Sequence, residues 1–97
     1  GFGLIFGADG MENCFVFDIA SNGNFAVFKN VNDKFISIKD WTASPKVKPI
    51  NEVNLLVIKN ISHKWHFYIN GTEVYSMPAE KFLGSSIGFF WSFVGSA

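Results

Sequence analysis

The chain has 97 residues and 10.8 kDa, is 48% hydrophobic and 18% aromatic with twelve Phe, and carries eight basic and eight acidic residues for a formal net charge of zero. That length admits one small domain at most, and the balanced, scattered charge excludes nucleic acid and acidic membranes as electrostatic partners. The single cysteine, Cys14, excludes an intrachain disulfide and fits no metal spacing, and no apolar run approaches the ~20 residues of a membrane helix.

In chain order, strand signals recur between turn signals, and no segment keeps a helical period. The opening run Phe2-Gly3-Leu4-Ile5-Phe6 places Phe2, Leu4 and Phe6 on one face, and turn residues follow from Gly7 to Gly10. In the next strand Phe15, Phe17 and Ile19 share a face opposite Cys14, Val16 and Asp18, and Glu12 is expected to extend the face of Asp18. Ser21-Asn22-Gly23-Asn24 closes a hairpin into Phe25-Ala26-Val27-Phe28, which is apolar on both faces and so interior to a sheet. A turn over Asn30 to Asp33 leads to Phe35-Ile36-Ser37-Ile38.

The stretch 40–51 carries Pro45 and Pro49, which cannot continue a central ladder, and is predicted to be a crossing loop with Trp41 on it. A strand from Asn54 to Lys59 follows, then a wide polar turn from Asn60 to Lys64. Next, Trp65, Phe67 and Ile69 oppose His66, Tyr68 and Asn70. Asn70-Gly71 is a strong hairpin signal, because a type I′ turn needs positive φ at both central residues. The strand Thr72 to Met77 ends at Pro78, a short helical turn is expected over Ala79 to Leu83, and Ile87 to Phe93 makes the last strand. About eight strands of ordinary length favour an all-β protein of two face-to-face antiparallel sheets.

The ordered set Asn13 to Ile19, Gly23-Asn24-Phe25, Trp41, Asn54-Leu55-Leu56, Phe67-Tyr68-Ile69-Asn70-Gly71 and Ser85-Ser86-Ile87-Gly88-Phe89 resembles the concanavalin A-like lectin/glucanase superfamily, especially its laminin G-like bacterial modules. The resemblance covers most of the chain and implies a jelly-roll sandwich. Such modules run to roughly 150 to 200 residues. The chain opens inside a strand, and beyond the last strand it holds only Val94-Gly95-Ser96-Ala97. Residues 1–97 are therefore expected to form a single but incomplete sandwich of a larger protein, secreted or at the cell surface. Open edges and uncovered apolar faces would then pair with the rest of the parent chain or form a homo-oligomer.

Glycan binding is the function the resemblance implies, and its physics needs an aromatic face for the sugar ring with polar groups nearby for the hydroxyls. Trp41, His66, Tyr68 and Asn70 are the candidate ligand-binding residues; Trp65 and Trp91 are further aromatics that could supply a platform, and alternation with Phe67 and Ile69 favours packing for Trp65. The glucanase relatives carry two carboxylates in a Glu-x-Asp-x-x-Glu strand, and this chain has no such motif. Glu12 and Asp18 would lie roughly 20 Å apart at strand rise, beyond the ~5–10 Å that glycoside cleavage uses. No catalytic residue is therefore assigned, and the alternative is a glycoside hydrolase fragment whose catalytic groups lie elsewhere, or a purely structural sandwich. Asp9 with Asn13 is the nearest analogue of a laminin G-like calcium site, but hard cations need six or more oxygens. His63 and His66 lack a cysteine neighbour, so neither a metal nor a cofactor is expected. Asn60-Ile61-Ser62 and Asn70-Gly71-Thr72 satisfy the N-glycosylation rule, though turn chemistry already explains Asn70.

Overall fold

Alternation along each strand decides which side chains meet in the core, and the pairing register fixes which strands they come from. The computed structural model describes residues 2–49 and 52–91, with the backbone alone for 86–91. Its elements are β1 (Phe2–Ala8), β2 (Cys14–Ile19), β3 (Asn24–Val31), β4 (Lys34–Ala43), β5 (Leu56–Ile61), β6 (Lys64–Ile69), β7 (Thr72–Pro78) and β8 (Ser86–Trp91). They form a five-stranded sheet, order β4-β3-β2-β1-β8, and a three-stranded sheet, order β5-β6-β7. Every pairing is antiparallel. The expected all-β, two-sheet class is what the chain adopts.

Phe6, Phe15, Phe17, Ile19, Phe25 and Val27 from the larger sheet meet Trp65, Phe67, Ile69 and Met77 from the smaller one in a single core. Rings interlock across the two layers: Phe17 meets Phe67 edge to face at 5.1 Å, and Phe15 meets Trp65 in the same way at 5.0 Å. Burial of each such ring stabilises the fold by about 1.5–3 kcal/mol, and edge-to-face pairs add about 0.5–1.5 kcal/mol. Trp65, 2% exposed, is thus a packing residue. On the other face of the larger sheet, Ile5, Ala8, Cys14 and Val16 form a second buried cluster with Phe28 against it. β1 and β2 are therefore apolar on both faces.

Three connections are two-residue turns with positive φ at both positions: Asn32-Asp33, Ser62-His63 and Asn70-Gly71. The second corrects the wide turn expected over Asn60 to Lys64. Asn60 and Ile61 belong to β5, and Ile61 pairs with Lys64. Ser-His lacks the Asn-Gly or Asp-Gly signature of such turns, so cross-strand pairing holds it there.

β4 also departs from expectation, since it runs on to Ala43 and carries Trp41 as a strand residue rather than on a loop. Its register against β3 shifts between Phe25 and Val27 and again between Val27 and Phe28, so β4 carries the extra residues of two bulges. Ser37 Oγ donates to Asp40 Oδ1, and Thr42 Oγ1 donates to the Asp40 carbonyl at 2.7 Å, bracing the bulged segment. The strand ends at Ala43, two residues before Pro45.

Glu12 lies in the turn before β2, where its carbonyl accepts the Asp33 amide at 2.9 Å, so it does not share a strand face with Asp18. No helical turn forms over 79–83. The main chain there is irregular and docks on β1, where Leu83 and Gly84 amides donate to the Gly7 carbonyl at 3.0 and 3.1 Å. Gly7 itself has φ +56 at the bulge between β1 and β8, and a Cβ on Gly84 would overlap the Ala8 carbonyl. Both positions require glycine. The last strand is observed over Ser86–Trp91; Ser92, Phe93 and the closing residues 94–97 lie outside the described residues.

Candidate functional site

The two layers leave a groove where the edge strand β4 of one sheet runs beside the edge strand β7 of the other. It is a shallow depression open to solvent, with a volume of about 300 Å³. Val74, Ala43 and Pro45 supply apolar surface over the buried Phe25, Thr42, Ser44 and Thr72 supply hydroxyls, and Lys39, Lys46 and Glu73 supply charge. Lys39 reaches the groove because it pairs with Val27 across the bulged ladder, and its ammonium stands 5.9 Å over the Tyr75 ring. Lys46 is fixed through its backbone: its amide donates to Ser44 Oγ at 3.2 Å and its carbonyl accepts from Asn70 Nδ2 at 2.7 Å.

Glu73 joins the groove to the outer face of the three-stranded sheet. It pairs across the ladder with Tyr68, and its Oε1 lies 2.9 Å from His66 Nδ1. Lys59 stands over the Tyr68 ring at 4.9 Å, on the same face. The structure thus brings His66 and Tyr68 together on a ledge beside the groove.

Trp41 and Asn70 lie apart from that ledge. Trp41 is 49% exposed on the bulged edge strand and does not line the groove. Asn70 is a clasp. Its Nδ2 donates to the Lys46 carbonyl and, at 3.0 Å, to Asn54 Oδ1, while its Oδ1 accepts the Leu55 amide at 2.9 Å. Asn54 in turn bonds the Lys48 amide and carbonyl. Two asparagines therefore order the connection between β4 and β5, a role that the turn signal at Asn70 does not announce.

The other candidate positions have local tasks. Asn13 Oδ1 accepts the Asn32 amide at 3.0 Å, and Asp9 donates its amide to the Asn13 carbonyl at 2.7 Å, so this corner holds the β3–β4 turn. Among the described residues, no group of three or more His, Cys, Asp or Glu is placed to hold a metal ion. Trp91 ends β8. The Cys14 thiol is fully buried and donates to the Met11 carbonyl at 3.3 Å; burial raises its pKa, which keeps it in the unreactive thiol form.

Asp18 pairs with Gly3 and Ala26, on the face of the larger sheet away from the main core. Its Oδ1 is buried without a hydrogen-bond partner among the described residues. Burial outweighs the amides of Ile19 and Phe2 and pushes its pKa from 3.8 up to about 6. A raised carboxyl pKa means the folded state holds the proton more tightly than the unfolded chain, so stability falls as pH rises from about 4 to 6. Asp18→Asn is expected to flatten that dependence and, allowing for partial solvent screening, to stabilise the fold at pH 7 by about 1–2 kcal/mol. Urea unfolding at pH 4 and pH 7 checks it; an Asn variant less stable than the parent at pH 7 would refute it.

Compared with family models, curated proteins and solved structures, the chain finds no significant match. Among the described residues no helix is long and apolar enough to cross a membrane.

Proposed function

We propose that this chain is a non-catalytic recognition module that binds glycan. The reading joins the concanavalin A-like, laminin G-like resemblance, with its jelly-roll connectivity and exported setting, to one observation. The groove between β4 and β7 combines apolar surface from Val74, Ala43 and Pro45 with a rim of hydroxyl and charged groups. A pyranose ring has the same division, with C–H faces and a hydroxyl girdle, so one ring can lie on that surface while the rim takes its hydroxyls. The ledge of His66 and Tyr68 would carry the next sugar.

Hydrolysis by two carboxylates is the less favoured mechanism, because among the described residues lining the groove Glu73 alone carries a carboxylate. A glycan array probed with the 97-residue chain, paired with a reducing-sugar assay on the same glycans, separates the readings. Binding without sugar release is expected. Release of reducing ends would replace the proposal with the hydrolase alternative.

Self-association has its own support. Phe35, Ile36 and Trp41 on β4 are 64, 42 and 49% exposed, and an edge strand with apolar side chains invites pairing. The two bulges and Lys34 and Lys39 oppose flat edge-to-edge docking. Array silence together with a stable dimer in sedimentation would favour this structural reading over glycan recognition.

A further inference from the structure

The sequence holds two Asn-Gly pairs, Asn22-Gly23 and Asn70-Gly71, and the fold treats their side chains in opposite ways. Asparagine is thermally labile, most of all before glycine, whose missing Cβ leaves the backbone free to bring its nitrogen onto the asparagine side-chain carbonyl carbon. Asn22 is exposed at the tip of the β2–β3 hairpin. Its Oδ1 accepts the Asn24 amide at 3.2 Å, and its Nδ2 has no partner among the described residues. The Gly23 amide makes one turn bond, to the Ala20 carbonyl at 3.1 Å, of the kind that opens easily at an exposed hairpin end.

Asn70 is held at its main-chain amide and at both side-chain heteroatoms. The amide donates to the Leu55 carbonyl and Oδ1 accepts the Leu55 amide, both at 2.9 Å, while Nδ2 donates to the Lys46 carbonyl and to Asn54 Oδ1. For the Gly71 nitrogen to reach Cγ, this side chain has to leave its three partners, so reaction starts only from an opened clasp.

We propose that Asn70 is a conformationally gated deamidation site, protected while the clasp is closed and converted once it opens, and that conversion keeps the clasp open. In the step, the Gly71 main-chain nitrogen gives its proton to water or hydroxide and attacks Asn70 Cγ. A C–N bond forms, the Cγ–Nδ2 bond breaks, and Nδ2 takes up a proton and leaves as ammonia, closing a five-membered succinimide. Water then opens either ring carbonyl, leaving aspartate or isoaspartate at position 70; nothing is oxidised or reduced. Ionised aspartate still accepts the Leu55 amide but has no hydrogen for the Lys46 carbonyl, and it sets a carboxylate against Asn54 Oδ1. Asn54 cannot turn its amide to compensate without losing both bonds to Lys48, whose amide Oδ1 accepts at 2.8 Å and whose carbonyl Nδ2 donates to at 3.2 Å. The β4–β5 connection is therefore released in one direction only. The inference does not depend on glycan binding.

The test is peptide mapping by mass spectrometry of the folded 97-residue chain, aged in mildly alkaline buffer made with heavy-oxygen water so that each hydrolysis leaves a label. Asn70 is expected to convert at least about tenfold more slowly than Asn22, a factor that one net hydrogen bond supplies, and the gap should close in concentrated guanidinium chloride. Asn54→Ala, which removes one acceptor of the clasp, should speed Asn70 and leave Asn22 unchanged. Because that variant also loosens the connection, the parent supplies a second reading: in sub-denaturing urea the Asn70 rate should climb in step with hydrogen exchange at the Leu55 amide. Equal rates at the two sites in the folded chain, or a gap that persists in denaturant, would overturn the gating. Asn70→Asp should exchange the Leu55 amide faster than the parent; parent-level protection there would overturn the one-way release.

Discussion

Phe67→Ala is expected to cost about 3–5 kcal/mol of folding stability, a large part of the ~5–15 kcal/mol that holds a domain together. Phe67 is completely buried and touches both layers: its ring meets Phe17 edge to face at 5.1 Å, Phe6 at 6.2 Å and Tyr75 at 5.8 Å. Truncation leaves a cavity at the middle of the inter-sheet contact, where paired strands on either side cannot collapse to fill it. Phe35→Ala is the control, because that ring is 64% exposed on an edge strand and its loss should cost less than about 1 kcal/mol. Urea unfolding followed by the fluorescence of buried Trp65 reads both. Equal losses for the two variants would mean that the core does not lie between the sheets.

The second large effect falls on the polar clasp. Asn70→Ala removes three side-chain hydrogen bonds, to Lys46, Asn54 and Leu55, worth about 1 kcal/mol each. It also places a Cβ residue without a helping amide at φ 52, for a further cost of about 1 kcal/mol. The total is expected to reach about 3–4 kcal/mol. Asn70→Gly keeps the backbone at ease and should recover about 1 kcal/mol of that loss, which separates turn geometry from the hydrogen bonds. In both variants the Leu55 amide should exchange faster with solvent. An Asn70→Ala protein as stable as the parent would show that the clasp is incidental.

Much of the fold was legible because it rests on local alternation. Phe15, Phe17 and Ile19, and likewise Trp65, Phe67 and Ile69, announce their buried face by period two, and each trio lies in the core. The apolar run from Phe25 to Phe28 marks an interior strand, and β3 does sit between β2 and β4. Features set by the far side of the sheet were not legible. Ser62-His63 adopts a tight turn without tight-turn residues because β5 and β6 are zipped on either side of it. β4 continues past Asp40 because bulges let an edge strand bend, and no single residue type encodes that bend. The ending at Pro78 gave way to an irregular docking segment rather than a helical turn, since the Gly7 carbonyl takes the amides that a helix would have used internally.

The candidate site was less legible than the fold. His66 and Tyr68 share a face by alternation, and the structure sets them side by side with Glu73 and Lys59. The groove itself depends on β4 meeting β7, a contact between segments some thirty residues apart, of which Lys39 over Tyr75 is one example. Such pairings leave no mark on local pattern. The two asparagines that order the groove's wall were visible only as a strand opener and a turn residue, because their bond to each other at 3.0 Å is a tertiary one.

Nuclear Overhauser contacts between the two sheets test the central claim most directly, since both the core and the groove require the layers to face each other with β4 beside β7. Cross-peaks from the Phe17 ring to Phe67, and from Lys39 to Tyr75, are the expected result. Strong contacts within each sheet but none between Phe17 and Phe67, or a ladder joining β4 to β5 in one continuous sheet, would contradict the sandwich and remove the groove with it.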